Sequence, residues 1–143
     1  MATIRRKAEA EWSGAGRDGH GTLTTASGTL AKTPYSFTTR FENGVGTNPE
    51  ELIAAAHAGC FTMAFAFRLS GAGHPPASLQ TSAEVSLTQE AGGWRIAAVA
   101  LSLKGNVPGI SRDEFMAHAQ EAKATCPVSR VLNAQITLAV EFV

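Results

Sequence analysis

The chain has 143 residues, with 12 Lys and Arg against 12 Asp and Glu, 44% hydrophobic residues and two cysteines. That content is too apolar for a disordered chain, and the balanced charge excludes a protein that coats nucleic acid through a basic stripe. A single domain over residues 1–143 is expected, burying roughly two-thirds of its unfolded surface.

The first elements are short. Ile4, Ala8, Ala10 and Trp12 alternate loosely, which predicts a strand over residues 4–12 ending at Gly14, and Gly14–Gly19 reads as a turn. Thr22–Thr25 is β-branched and predicts a second strand. From Tyr35 to Glu42 the alternation is regular and predicts a third strand, with Tyr35, Phe37 and Phe41 on one face and Arg40 on the other. Asn43–Gly46 ends it.

A helix start follows at Thr47-Asn48-Pro49-Glu50-Glu51. Thr47 or Asn48 can cap, Pro49 suits the first helical position, and the two glutamates complement the positive helix end. The helix is expected through Leu52 to about Leu69. Its run from Leu52 to Phe67 lacks the length and hydrophobicity of a membrane span, for which about 20 strongly apolar residues are needed. Apolar and small residues go all the way round it, so it must be covered on every side. A second subunit is expected to supply part of that cover, with Ala54, Ala55, Ala56, Ala58 and Gly59 permitting close helix approach.

Leu79–Glu90 and Trp94–Lys104 alternate on either side of Ala91-Gly92-Gly93 and predict a hairpin. Ser111, with Glu114 three residues on, predicts a capping box and a helix to about Thr125. Pro127 opens a helical turn through Leu132, and Ala134–Val143 reads as a closing strand. The order predicts an α+β fold with mainly antiparallel pairing.

The N-terminal residues, basic and then acidic with no apolar core, do not form a secretory signal. A cytoplasmic setting is expected, in which thiols stay reduced. Cys60 falls in the middle of the apolar helix and Cys126 just before Pro127. Read alone, each is at home as a small buried hydrophobe. The scattered His20, His57, His74 and His118 match no zinc-ligand spacing, and His57 beside Cys60 lacks an orienting acid for protease-like chemistry. A redox role requires a thiolate. Cys60 is too deep in its helix to use the helix N-terminus, so it needs a cation. Arg40 and Glu50 have ordinary readings, a solvated arginine paired with Glu42 and a first-turn carboxylate. Glu50 and Cys60 are ten residues apart, roughly 15 Å along one helix, so a site using both must draw the glutamate from another subunit.

Pro34–Glu42, Gly46–Phe61, Val107–Ile110 and Cys126–Ser129 together resemble the OsmC/Ohr family of thiol-dependent hydroperoxide reductases. The resemblance spans essentially the whole chain. It implies an OsmC-like fold, antiparallel sheets wrapped around a long buried central helix, in an intertwined homodimer with sites at the subunit interface. It further implies that Cys60 is the peroxidatic cysteine and Cys126 the resolving one. Cys60 would reduce organic hydroperoxides, and hydrogen peroxide more weakly. An external dithiol, with a lipoylated protein as one candidate, would restore the thiols without metal, haem or flavin. Arg40 and Glu50 match the OsmC-branch pair, Arg40 stabilising the thiolate and Glu50 holding the guanidinium bidentately. Arg17, in the Gly16-Arg17-Asp18-Gly19 turn that resembles the Ohr branch, is the rival cation. Phe61, Phe65 and Ile110 are candidates for an apolar wall. The alternative function is a non-catalytic redox-sensing or binding protein on the same fold.

Overall fold

A computed structural model describes residues 1–143, which form two compact units, Met1–Leu52 and Ile53–Val143. The architecture is α+β, with two three-stranded sheets and one long helix.

In the first unit, β1 (Ala8–Ser13), β2 (His20–Thr25) and β3 (Thr33–Tyr35) form an antiparallel sheet in that order. The third predicted strand stops at Tyr35. Phe37–Phe41 is instead a short helix, α1, with Ser36 as its N-cap. The Thr39 N–H donates to Ser36 Oγ at 3.3 Å, and the Ser36 N–H donates to Thr39 Oγ1 at 2.8 Å. This reciprocal cap satisfies donors that a strand would have paired with a neighbour. Phe37 and Phe41 fit a helix as well as a strand, because residues four apart share a helix face; their ring centroids lie 4.9 Å apart. Beyond α1 the chain returns to β3, where the Thr47 N–H donates to the Pro34 carbonyl. Gly46 makes that approach possible: its φ is +130°, and a Cβ there would collide with the Pro34 carbonyl oxygen.

Helix α2 spans Pro49–Gly71. Asn48 caps it, its Oδ1 accepting from the Glu51 N–H at 2.8 Å, while Asn48 Nδ2 donates to the Thr39 carbonyl at 2.9 Å. Contrary to the expectation from Leu52–Phe67, the full helix of 23 residues is long and apolar enough, by length and composition alone, to cross a membrane, a test that core helices also pass. Its fully buried residues are spaced by four, His57, Phe61, Phe65 and Leu69, and the three apolar ones enter the core of the second unit. The expectation of a helix buried on every side is not met within one chain. Ala55, Ala56, Gly59, Met63 and Phe67 form an open stripe along it.

The second sheet runs β4 (Ser78–Glu90), β5 (Gly93–Asn106), β6 (Gln135–Phe142). β4 and β5 are the expected antiparallel hairpin, but β6 lies parallel to β5. The departure from antiparallel pairing follows from the connection: α3 (Arg112–Thr125) and α4 (Pro127–Val131) intervene, and such a crossover returns the chain in the same direction. Val99, Leu101 and Leu103 on β5 share the core with Phe61, Phe65 and Phe115. Phe115 meets Phe65 edge-on at 5.0 Å and Phe142 at 4.9 Å. Ser111 caps α3 by accepting from the Glu114 N–H at 3.2 Å. The expected return bond from the Glu114 side chain is replaced by contacts of its carboxylate with His74 and His118, at 3.5 and 3.7 Å.

Candidate active site

Two groups of candidate residues are assembled, one within each unit. In the second, Cys60 lies midway along α2 and Cys126 at the junction of α3 and α4. Pro127 cannot continue α3, because its ring disfavours helical backbone in the preceding residue. The chain therefore turns at Cys126 (φ −54°, ψ 126°), and Pro127 starts the next helix. Both cysteines are free thiols, Cys126 fully buried and Cys60 half-buried. Their sulfurs are 2.9 Å apart, with Cys126 Sγ placed to donate to Cys60 Sγ.

The electrostatics at Cys60 favour the thiol. Burial pushes it above its ordinary range, the hydrogen bond with Cys126 adds to the rise, and the Val128 N–H on its sulfur opposes both. Beside it, His57 is fully buried, with Nε2 at 2.7 Å from Ser129 Oγ and Nδ1 without a partner. Burial lowers its pKa, so His57 is neutral near pH 7 and is not the counter-ion a thiolate needs. No group of three or more His, Cys, Asp or Glu side chains is arranged to hold a metal ion.

In the first unit Arg40 occupies the last turn of α1 rather than a strand face. Its partner is Glu50, not Glu42: Nε and Nη2 both donate to Glu50 Oε1, at 3.1 and 2.8 Å. The expected fork on two carboxylate oxygens is thus a pincer on one, and Glu50 Oε2 is buried without a partner. The Arg40 side chain remains 40% exposed while the Glu50 side chain is 11% exposed, so the more buried carboxylate anchors the more exposed cation. Arg40 also lies 5.5 Å from the Phe41 ring centroid, and Arg17 lies over Phe37 at 4.4 Å. A cleft of about 130 Å³, lined by Trp12, Tyr35, Phe37, Arg40, Phe41 and Pro49 among others, opens beside the pair.

Phe61 and Phe65 do not front a cavity. Both are fully buried, with Ile110 almost so, and they fill the core of the second unit because Phe115 and the β5 residues surround them. Sequence reasoning weighed His57 as a zinc ligand and as a catalytic partner of Cys60, and Ser129 entered only as the end of the matched segment Cys126–Ser129; neither was read as the other's partner. The signal available was Ser129 itself, three residues after Cys126.

The OsmC family, described as OsmC-like protein, matches residues 41–141. The chain is 51% identical over 136 residues to Peroxiredoxin OsmC of Escherichia coli (strain K12), covering 95% of each. It is 31% identical over 94 residues to the organic hydroperoxide resistance protein of Xanthomonas axonopodis pv. citri (strain 306), covering 65% of this chain and 64% of that protein. The crystal structure of an organic hydroperoxide resistance protein OsmC from Legionella pneumophila superposes with a TM-score of 0.77 at 28% identity, covering 99% of both chains. With more than two-thirds of its length matched and a relative at 51% identity over 95% of both sequences, the chain belongs to the OsmC family.

Proposed function

We propose that this protein is a cysteine-based peroxidase that reduces organic hydroperoxides, and hydrogen peroxide more weakly. The observation that carries the reading is the pair of free thiols at 2.9 Å in a chain 51% identical to a peroxiredoxin. The Cys60 thiolate attacks the terminal oxygen of ROOH, the O–O bond breaks, and the alkoxide leaves as ROH after taking a proton. Cys126 then attacks the sulfenic sulfur, water leaves, and a Cys60–Cys126 disulfide forms. An external dithiol, with a lipoylated protein as one candidate, reduces it by exchange.

Burial and the Cys126 hydrogen bond oppose ionisation of Cys60, so the reading requires a cation. Arg40 supplies it, held by Glu50, and Arg17 is the rival. We read the two groups as one site drawn from different subunits of a homodimer, a reading supported by the ten-residue helical separation of Glu50 and Cys60, roughly 15 Å along the axis. The open stripe of Ala55, Ala56, Gly59, Met63 and Phe67 supports that reading as the face a second copy would cover. The family fold then accommodates both units as one domain, in a reducing, cytoplasmic setting.

A second reading, a redox sensor without turnover, rests on the same pair of thiols, which a single oxidation would join. Steady-state assay decides between them. The reduced protein with dithiothreitol should consume many equivalents of cumene hydroperoxide; consumption that stops at one equivalent rejects the peroxidase.

A further inference from the structure

Cys126 lies in a segment with little to hold it in place. It ends α3 and caps α4 without a side-chain hydrogen bond, and Pro127 has no N–H to donate. The five residues of α4 are too few for a self-supporting helix, and none is fully buried. Val128 and Leu132 pack partly against the core.

Besides the sulfur–sulfur contact and the Val128 N–H on the Cys60 sulfur, one side-chain hydrogen bond joins this segment to α2, between His57 Nε2 and Ser129 Oγ at 2.7 Å. His57 precedes Cys60 by three residues, and Ser129 follows Cys126 by three. The two pairs thus bridge the same segments in antiparallel order, one rung a hydrogen bond and the other the two sulfurs. The buried, unpaired Nδ1 carries a desolvation cost that an apolar side chain of similar volume would avoid. Filling space does not account for an imidazole here; its bond to Ser129 does.

We propose that His57 and Ser129 are a positioning pair for disulfide closure, holding the start of α4 so that Cys126 meets Cys60. The proposal deepens the peroxidase reading and rests on it for the physiological oxidant only. In the step concerned, the Cys126 thiolate attacks the Cys60 sulfenic sulfur. The S–S bond forms as the S–O bond breaks, and hydroxide leaves to become water with one proton. No additional oxidant is consumed. Neither His57 nor Ser129 touches the peroxide, so the first oxidation does not depend on them.

The test compares wild type with Ser129→Ala and Ser129→Thr. Each is oxidised with one equivalent of cumene hydroperoxide and, separately, with diamide, an azo oxidant that forms disulfides without a peroxide. Mass spectrometry with dimedone trapping follows sulfenic acid and disulfide against time. Ser129→Ala should keep the first-step rate within about twofold and slow disulfide closure roughly 3- to 10-fold, the size of one buried hydrogen bond. Dimedone adduct should rise, and Ser129→Thr should restore closure. Closure by Ser129→Ala at the wild-type rate with both oxidants overturns the proposal, as does equal slowing of both steps. If cumene hydroperoxide oxidises none of the proteins while diamide still reveals the lag, the peroxidase reading fails and the positioning role stands.

Discussion

Cys60 and Cys126, separated by 66 residues, present their sulfurs to each other at 2.9 Å. A disulfide needs about 2.05 Å, so closing it takes under about 1 Å of further approach. One equivalent of hydroperoxide should therefore yield an intramolecular disulfide. Cys60→Ser should abolish turnover, whereas Cys126→Ser should accept one oxidation, stall, and drift to sulfinic acid with excess peroxide. Mass spectrometry of the three proteins checks this.

In the proposed mechanism the Arg40–Glu50 pair sets how readily the thiolate forms. Arg40→Ala should slow peroxide reduction about tenfold or more, since an adjacent cation lowers the pKa of an acidic group by about one to three units. Its pH–rate profile should move to higher pH, because the thiolate would then form only at more alkaline pH. Glu50→Gln should have the smaller effect, as the guanidinium keeps its charge and loses its anchor. An unchanged rate in Arg40→Ala with a large loss in Arg17→Ala would transfer the cation role to Arg17.

The open stripe on α2 predicts an assembly. Met63 is 64% and Phe67 73% exposed on a single chain. Sedimentation velocity should give a dimer for the wild type and a shift to monomer for Phe67→Glu, because a carboxylate placed in a dry interface is not solvated. A monomeric wild type would remove the argument for sites shared between subunits.

Stability should depend on pH through two groups. The His57 pKa is lowered in the folded state, so its stabilisation is complete above the ordinary imidazole value of about 6.5 and is lost as pH falls below it. Without a cation beside it the Cys60 pKa is raised, so in Arg40→Ala its stabilisation should be complete below the ordinary thiol range and be lost as pH rises through it. Thermal unfolding against pH under reducing conditions should show the acid shoulder in wild type and both shoulders in Arg40→Ala. His57→Gln should remove the acid one, and adding Cys60→Ser to Arg40→Ala the alkaline one.

Much of this arrangement is legible in the sequence, and the failures have local causes. Helix α2 announces itself through Asn48, Pro49 and two glutamates, and the β4–β5 hairpin through its glycine turn, because caps and turns are settled by neighbouring residues. Segment 35–42 misleads because so short a run satisfies both periods, and the signal that decides it, Ser36 bonding with Thr39, is not an alternation. That error carried Arg40 to a strand face beside Glu42. Pairing is mainly antiparallel as expected, and the parallel direction of β6 is not legible in the sequence because it depends on where α3 and α4 return the chain.

By itself, the sequence determined the element types and their order outside residues 36–41, the family, and the residue types capable of thiol chemistry. The resemblance already implied that Cys126 meets Cys60 and that Glu50 holds Arg40; only tertiary structure decided the 2.9 Å approach of the sulfurs, the pairing of Ser129 with His57, and the grip of Arg40 on a single oxygen of Glu50. The physical reason is range. Caps, turns and periodicity act over a few residues of chain, whereas a sulfur–sulfur contact across 66 residues exists only once a core has formed and fixed both segments.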